Sequence, residues 1–239
     1  PWDGFDVQTR LARVTGLSIV IENDGSAAAV GELLYGHGRA FEDFIYFFIG
    51  SAIGGGVVLN GDYLRGAHAN AGDVAVMPVG PSGLPSSPGP QRKLMPLIGR
   101  ASLSVLARHL RWRGGSAGCC LDLPEAIARM PDAFGEWAED AADALVVPIL
   151  TSSALLDIET VIVAGDLPPD TLGQLARRIG DRGAASGTES RTPPAIVVGG
   201  VGRDAGAVGA ASLPFHVSYS PMRELLTGGA PENFREVLA

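Results

Sequence analysis

Glu22-Asn23-Asp24-Gly25-Ser26 stands between an apolar run (Leu17, Ile19, Val20, Ile21) and an Ala-rich stretch from Ala27 to Leu34. The run has the composition of a strand over 17–21, and the alanines that of a helix over 27–35, so these five residues form a strand-to-helix turn. Such a turn fixes short polar side chains beside backbone N–H groups that the helix leaves without partners. Asn23 and Asp24 are therefore expected to point into a cleft.

Two further segments follow in order. A second apolar run, Phe44 to Ile49, leads into Gly50-Ser51-Ala52-Ile53-Gly54-Gly55-Gly56. Asn60-Gly61 is a type I′ hairpin signal, and after it comes Arg65-Gly66-Ala67-His68-Ala69-Asn70-Ala71-Gly72-Asp73. Consecutive glycines permit close approach of the backbone to a phosphate or a sugar ring; the same three also read as a flexible hairpin entry. Taken together, the order resembles the ROK family of sugar kinases and sugar-responsive repressors. The resemblance implies an α/β lobe of the actin-like (ribonuclease H-like) ATPase fold, a mixed sheet flanked by helices. It implies a sugar cleft built from the Asn-Asp pair, the Gly-rich phosphate-side loop and the Ala-Gly-acid segment.

Carried over residue by residue, the resemblance makes Asn23, Asp24 and Asp73 sugar ligands, with His68 a further candidate beside Asp73. In the family's kinases the residue matching Asp24 takes the proton of the attacking sugar hydroxyl, which is general-base work; in its repressors it only hydrogen-bonds the sugar. Asp24 also reads as a helix N-cap, with Ser26 able to cap in its place. Ser51, Gly54, Gly55 and Gly56 fall on the phosphate side. Asp73 replaces the family's Glu with a shorter carboxylate, and Val76 replaces a His that binds sugar and a structural zinc. Tetrahedral zinc needs four suitable ligands. Adjacent Cys119 and Cys120 and the scattered His37, His68, His109 and His216 do not supply them, so no zinc and no other metal is expected. After the strand Thr160 to Val163, the family's adenosine-binding Gly-Gly turn is replaced by Ala164-Gly165-Asp166. This charged turn argues against nucleotide use; Mg-ATP enters only if the chain is part of a kinase. Gly199 to Gly202 reads as packing for a closing helix.

A net charge of -8, with 18 Lys and Arg that do not cluster, gives little to neutralise nucleic-acid phosphates. DNA is expected to be a partner only through a domain outside this chain. No apolar run is long enough to span a membrane, no signal-peptide pattern appears, and the cysteine usage suits a reducing compartment, so the expected location is cytoplasmic. The remaining pattern predicts an irregular loop over Pro78 to Pro90, helices over 101–112, 124–129 and 136–156 (bent or divided at Pro148), and a helix over 170–178. A polar connection over 180–192, a strand over 195–198 and a last helix over 204–211 complete it. Residues 1–20 are expected to be the end of an N-terminal lobe, 21–212 the large lobe and 213–239 a C-terminal tail or helix. The two long helices are candidates for a homodimer contact.

These residues lead to a sugar-sensing effector domain of a ROK-type transcriptional regulator as the first expectation, lacking its DNA reader and phosphate-loop lobe. The rival is the large lobe of an ATP-dependent hexose or N-acylhexosamine kinase, and a third reading is a scaffold that binds neither ligand.

Overall fold

Strands β1 (Phe44–Ile49) and β6 (Thr160–Gly165) are apolar at nearly every position and lie side by side in parallel at the centre of the sheet. Strands buried on both faces read as continuous apolar runs rather than as an alternation. β2 (Ile53–Leu59) pairs antiparallel with β1, β3 (Asp62–Tyr63) antiparallel with β2, and β7 (Ala195–Val198) parallel with β6, giving the order β3-β2-β1-β6-β7. The computed structural model describes residues 4–87, 93–116, 122–186 and 191–219. Cys119, Cys120, the end of the Pro78–Pro90 loop and most of the 213–239 tail lie outside them.

The pleat divides the core. Phe44, Tyr46, Val58, Ile162 and Ala164 face helix α2 (Asp24–Tyr35) and Ala205, at the start of helix α8 (Ala205–Tyr219). Ile45, Phe47, Ile49, Val161 and Val163 face the opposite layer. That layer holds α3 (Ile98–Ala101), α4 (Leu103–Trp112), α5 (Leu123–Arg129), α6 (Pro131–Leu156) and α7 (Pro169–Ser186). Beside it, β4 (Pro78–Val79) and β5 (Met95–Pro96) make a small antiparallel ladder. The described residues between 21 and 210 form this compact unit; residues 4–20 and 211–219 belong to a second unit. In the second unit, α1 (Val7–Thr15) is capped by Asp6 and closed by left-handed Gly16, and buries none of its residues.

Several expectations are corrected. Residues 17–21 form no strand: Leu17, Val20 and Ile21 are exposed, and among the described residues no neighbouring strand pairs with them. A β-rich composition makes a strand only when a ladder satisfies its backbone. Helix α2 begins at Asp24 rather than Ala27. Helix α6 runs unbroken through Pro148, and α7 continues to Ser186 through most of the expected polar connection. The hairpin signal at Asn60-Gly61 holds: both residues have positive φ, and the turn joins β2 to β3.

Candidate functional site

Helix α2 is capped by Asn23, whose Oδ1 accepts from the N–H groups of Gly25 (2.9 Å) and Ser26 (3.3 Å). Neither Asp24 nor Ser26 is the cap. Asp24 is the first residue of the helix, exposed, with Oδ1 accepting from the Gly25 N–H at 2.8 Å. Among the described residues its second oxygen has no partner. Asn23 is thus left with its NH2 donors for a ligand, since the carbonyl oxygen is committed.

Glycines decide how the helix start meets the sheet. A Cβ on Gly25 would lie 2.3 Å from the Gly55 carbonyl oxygen, and one on Gly56 would lie 2.6 Å from the Ala29 Cβ. A Cβ on Gly72 would lie 2.6 Å from the Gly56 Cα, and one on Gly55 would touch Val74. The α2 start and the Gly72–Val74 segment therefore rest on the same stretch of β2, which brings exposed Asp24 and exposed Asp73 to it. The sequence placed Gly54, Gly55 and Gly56 in a loop. They lie inside β2, paired with Phe48, Phe47 and Tyr46, and only Gly50-Ser51-Ala52 is the turn. Ser51 is exposed at that turn, its carbonyl accepting from the Ser104 hydroxyl. His68 is exposed in the loop before Asp73.

Glu22 was not singled out by sequence reasoning. Its side chain is 2% exposed and bonds the Asn23 N–H (2.9 Å), the Tyr63 hydroxyl (3.1 Å) and Arg65 Nε (3.1 Å). Burial, and then the Glu22 charge, push the Tyr63 hydroxyl pKa well up, so it stays a donor. The one available signal was a Glu flanking a polar turn, which by itself says nothing about a partner.

The parallel strands β1, β6 and β7 end together, and the crevice beyond such ends is where ligands bind in open α/β sheets. Ala164 is buried, Gly165 has φ 157° and fits against the Ile49 carbonyl, and the Asp166 N–H donates to that carbonyl at 3.0 Å. The half-buried Asp166 carboxyl is pushed above its usual range by burial, against the opposing pull of Arg203 at 3.9 Å. After β7, the N–H groups of Gly200 (2.8 Å) and Val201 (3.3 Å) donate to Glu32, a fully buried carboxylate on α2. Here the sequence missed a role: Gly199 and Gly200 serve close packing, and they also shape a cradle for the Glu32 carboxylate. Among the described residues no group of three His, Cys, Asp or Glu side chains is placed to hold a metal ion, and no helix is long and apolar enough to cross a membrane.

A mixed sheet with flanking helices and a polar helix start at its carboxyl end define the sugar-kinase-like class of the actin-like ATPase fold. The model of the ROK family matches residues 1–216, and the chain belongs to that family. The bifunctional enzyme NanE/NanK of Brucella melitensis is 31% identical over 217 residues, 87% of this chain and 38% of that protein. A glucokinase of Halalkalibacterium halodurans is 26% identical over 151 residues, 62% of this chain and 45% of that protein. The chain spans less than half the length of these curated relatives. Among solved structures, a ROK family glucokinase from Streptomyces griseus in complex with glucose and AMPPNP has a TM-score of 0.68 at 26% identity, covering 87% of this chain and 71% of its own. A ROK family transcriptional regulator, a homolog of the E. coli MLC protein, has a TM-score of 0.64 at 20% identity, covering 86% of this chain and 54% of its own, a likeness of fold.

Proposed function

We propose that this chain is the sugar-binding lobe of an ATP-dependent sugar kinase acting on a hexose or N-acylhexosamine. The observation that carries the reading is Asp24: an exposed carboxylate, relieved of capping by Asn23, with an oxygen uncommitted at the carboxyl end of the sheet. A general base must reach the proton that it removes, and Asp24 is accessible to a hydroxyl. The NH2 group of Asn23 and the carboxylate of Asp73 hold neighbouring hydroxyls. As the sugar oxygen bonds to the γ-phosphorus, the bridge to the β-phosphate breaks, ADP leaves, and the hydroxyl proton passes to Asp24. The kinase names among the relatives support this reading over the regulator expected from sequence.

One observation favours the regulator as a second reading. The N–H groups of Gly200 and Val201 are committed to Glu32 and that of Asp166 to Ile49, so these turns offer a nucleotide few free donors. Asp166 adds a carboxylate beside Arg203. In that reading sugar binds through the same residues without transfer, and the binding changes the affinity of a DNA-reading domain.

ADP release from Mg-ATP, measured on the full-length protein with D-glucose and with N-acetylmannosamine, tests the two. Turnover is expected with one of them, and Asp24→Asn is expected to lower kcat by about a hundredfold or more. Calorimetric sugar binding with no turnover would move the conclusion to the regulator.

A further inference from the structure

The loop 64–73 carries His68 and Asp73; its Gly72 end rests on β2, and most of the rest of it is exposed. Residues 64–68, 70 and 73 are exposed, and Gly66, Ala69 and Gly72 take positive φ. Its backbone bonds are the Leu64 N–H to the Val57 carbonyl at its start and local turns within it, such as Ala71 N–H to the Arg65 carbonyl at 3.0 Å. Among the described residues, the Arg65–Glu22 ion pair is the one side-chain hydrogen bond or ion pair that ties 64–73 to the rest of the protein. The same Glu22 carboxylate accepts from the Asn23 N–H at the entrance to α2 and from Tyr63 on β3.

We infer that Glu22 is a positioning residue of the sugar site: through Arg65 and Tyr63 it holds the Asp73 loop in register with Asn23 and Asp24. The inference rests on the reading that these residues bind sugar. Glu22 lies next to Asn23 in the chain, and its side chain turns inward with 2% exposure, so it acts on the ligand groups without touching the ligand. A buried carboxylate needs its hydrogen bonds, and each of its three comes from a different part of the site's frame. Losing the charge frees Arg65, whose side chain is half exposed and gains water instead. The consequence is a looser loop rather than an unfolded protein. Sugar groups placed an ångström out of register lose contacts together, because orientation is what a binding site contributes beyond its chemistry.

The experiment uses the full-length protein with two variants, Glu22→Gln and Arg65→Met, and their combination. Arg65→Met alters a half-exposed side chain, so it tests the tether even if Glu22→Gln folds poorly. Amide hydrogen exchange over 64–73 is read first, without sugar, and faster exchange is expected in each variant. Then D-glucose and N-acetylmannosamine are titrated by calorimetry, and with a turning-over enzyme KM is separated from kcat. Sugar affinity is expected to fall by about tenfold in either variant, and the double variant to lose no more than either, since both cut the same tether. KM should rise while kcat changes little, because Asp24 itself is untouched. Unchanged exchange over 64–73 overturns the inference whether or not a sugar binds. Faster exchange with unchanged sugar affinity overturns it as well, leaving Glu22 a support of the fold alone. If the wild type takes no sugar, it is the functional reading that fails, and the exchange measurement still decides the tether.

Discussion

Asn23 Oδ1 spans the N–H groups of Gly25 and Ser26, and the neighbouring Asp24 is left with an uncommitted oxygen at the same helix end. The two residues divide the work that either was able to do: a cap satisfies donors that the first turn leaves open, and the carboxylate is free for a ligand. Asn23→Ala is therefore expected to cost about 1 kcal/mol in folding stability, within the range for lost N-caps, read as a fall in the urea midpoint. Asp24→Asn should leave that midpoint nearly unchanged while removing turnover. A midpoint that drops with Asp24→Asn and holds with Asn23→Ala would reverse the assignment. Both residues were legible as site candidates from their spacing to the apolar runs. Which one caps was not, since Asn, Asp and Ser are near-equal caps and only the backbone at Asn23 (φ -66°, ψ 140°) distinguishes them.

Helices α2 and α8 approach each other closely enough that side chains are excluded. A Cβ on Gly31 would fall 2.5 Å from the Ala205 carbonyl oxygen, and one on Gly209 would fall 1.6 Å from that of Ala27. Because the obstacle is backbone, relief needs the helices to separate, which also disturbs the Asp24 end of α2. Gly209→Ala is expected to destabilise by about 2–3 kcal/mol, the upper part of the range for overpacking, measured from urea unfolding with an unchanged slope. A neutral result would mean that the helices sit farther apart. The Gly199 to Gly202 segment announced a closely packed closing helix in the sequence. Pro148 shows the reverse case, a breaker that does not break. Trp137, Ala141, Leu145 and Ile149 bury the inner face of α6 on both sides of it, and that packing outweighs the missing hydrogen bond of a proline.

Within the 21–210 unit, a buried ion pair joins three elements. Arg100 at the end of α3 donates to both carboxylate oxygens of Asp140 on α6 (3.1 and 2.8 Å) and to the Gly80 carbonyl (3.1 Å). Asp140 also accepts from the Ser82 hydroxyl and the Gly83 N–H, each at 2.9 Å, and the Trp137 indole donates to the Arg100 carbonyl. Removing one partner leaves a charge buried and unpaired, so Asp140→Ala is expected to cost about 3–5 kcal/mol, seen by calorimetric melting. A loss below about 1 kcal/mol, the scale of a surface pair, would show that water reaches the site. None of this network was legible, because Arg100, Asp140 and Ser82 are far apart in the chain and each alone reads as an ordinary surface residue. Local order in the sequence determined the central apolar strands, the polar start of α2, the hairpin signal at Asn60-Gly61 and the family to which the chain belongs, since these depend on neighbours within a few positions. Tertiary structure decided the rest. Residues 17–21 lacked a ladder, Gly54 to Gly56 entered a strand under α2, and Glu22 and Glu32 found backbone and arginine partners that no spacing rule connects. Burial and long-range pairing set those outcomes, and both exist only once the chain has packed.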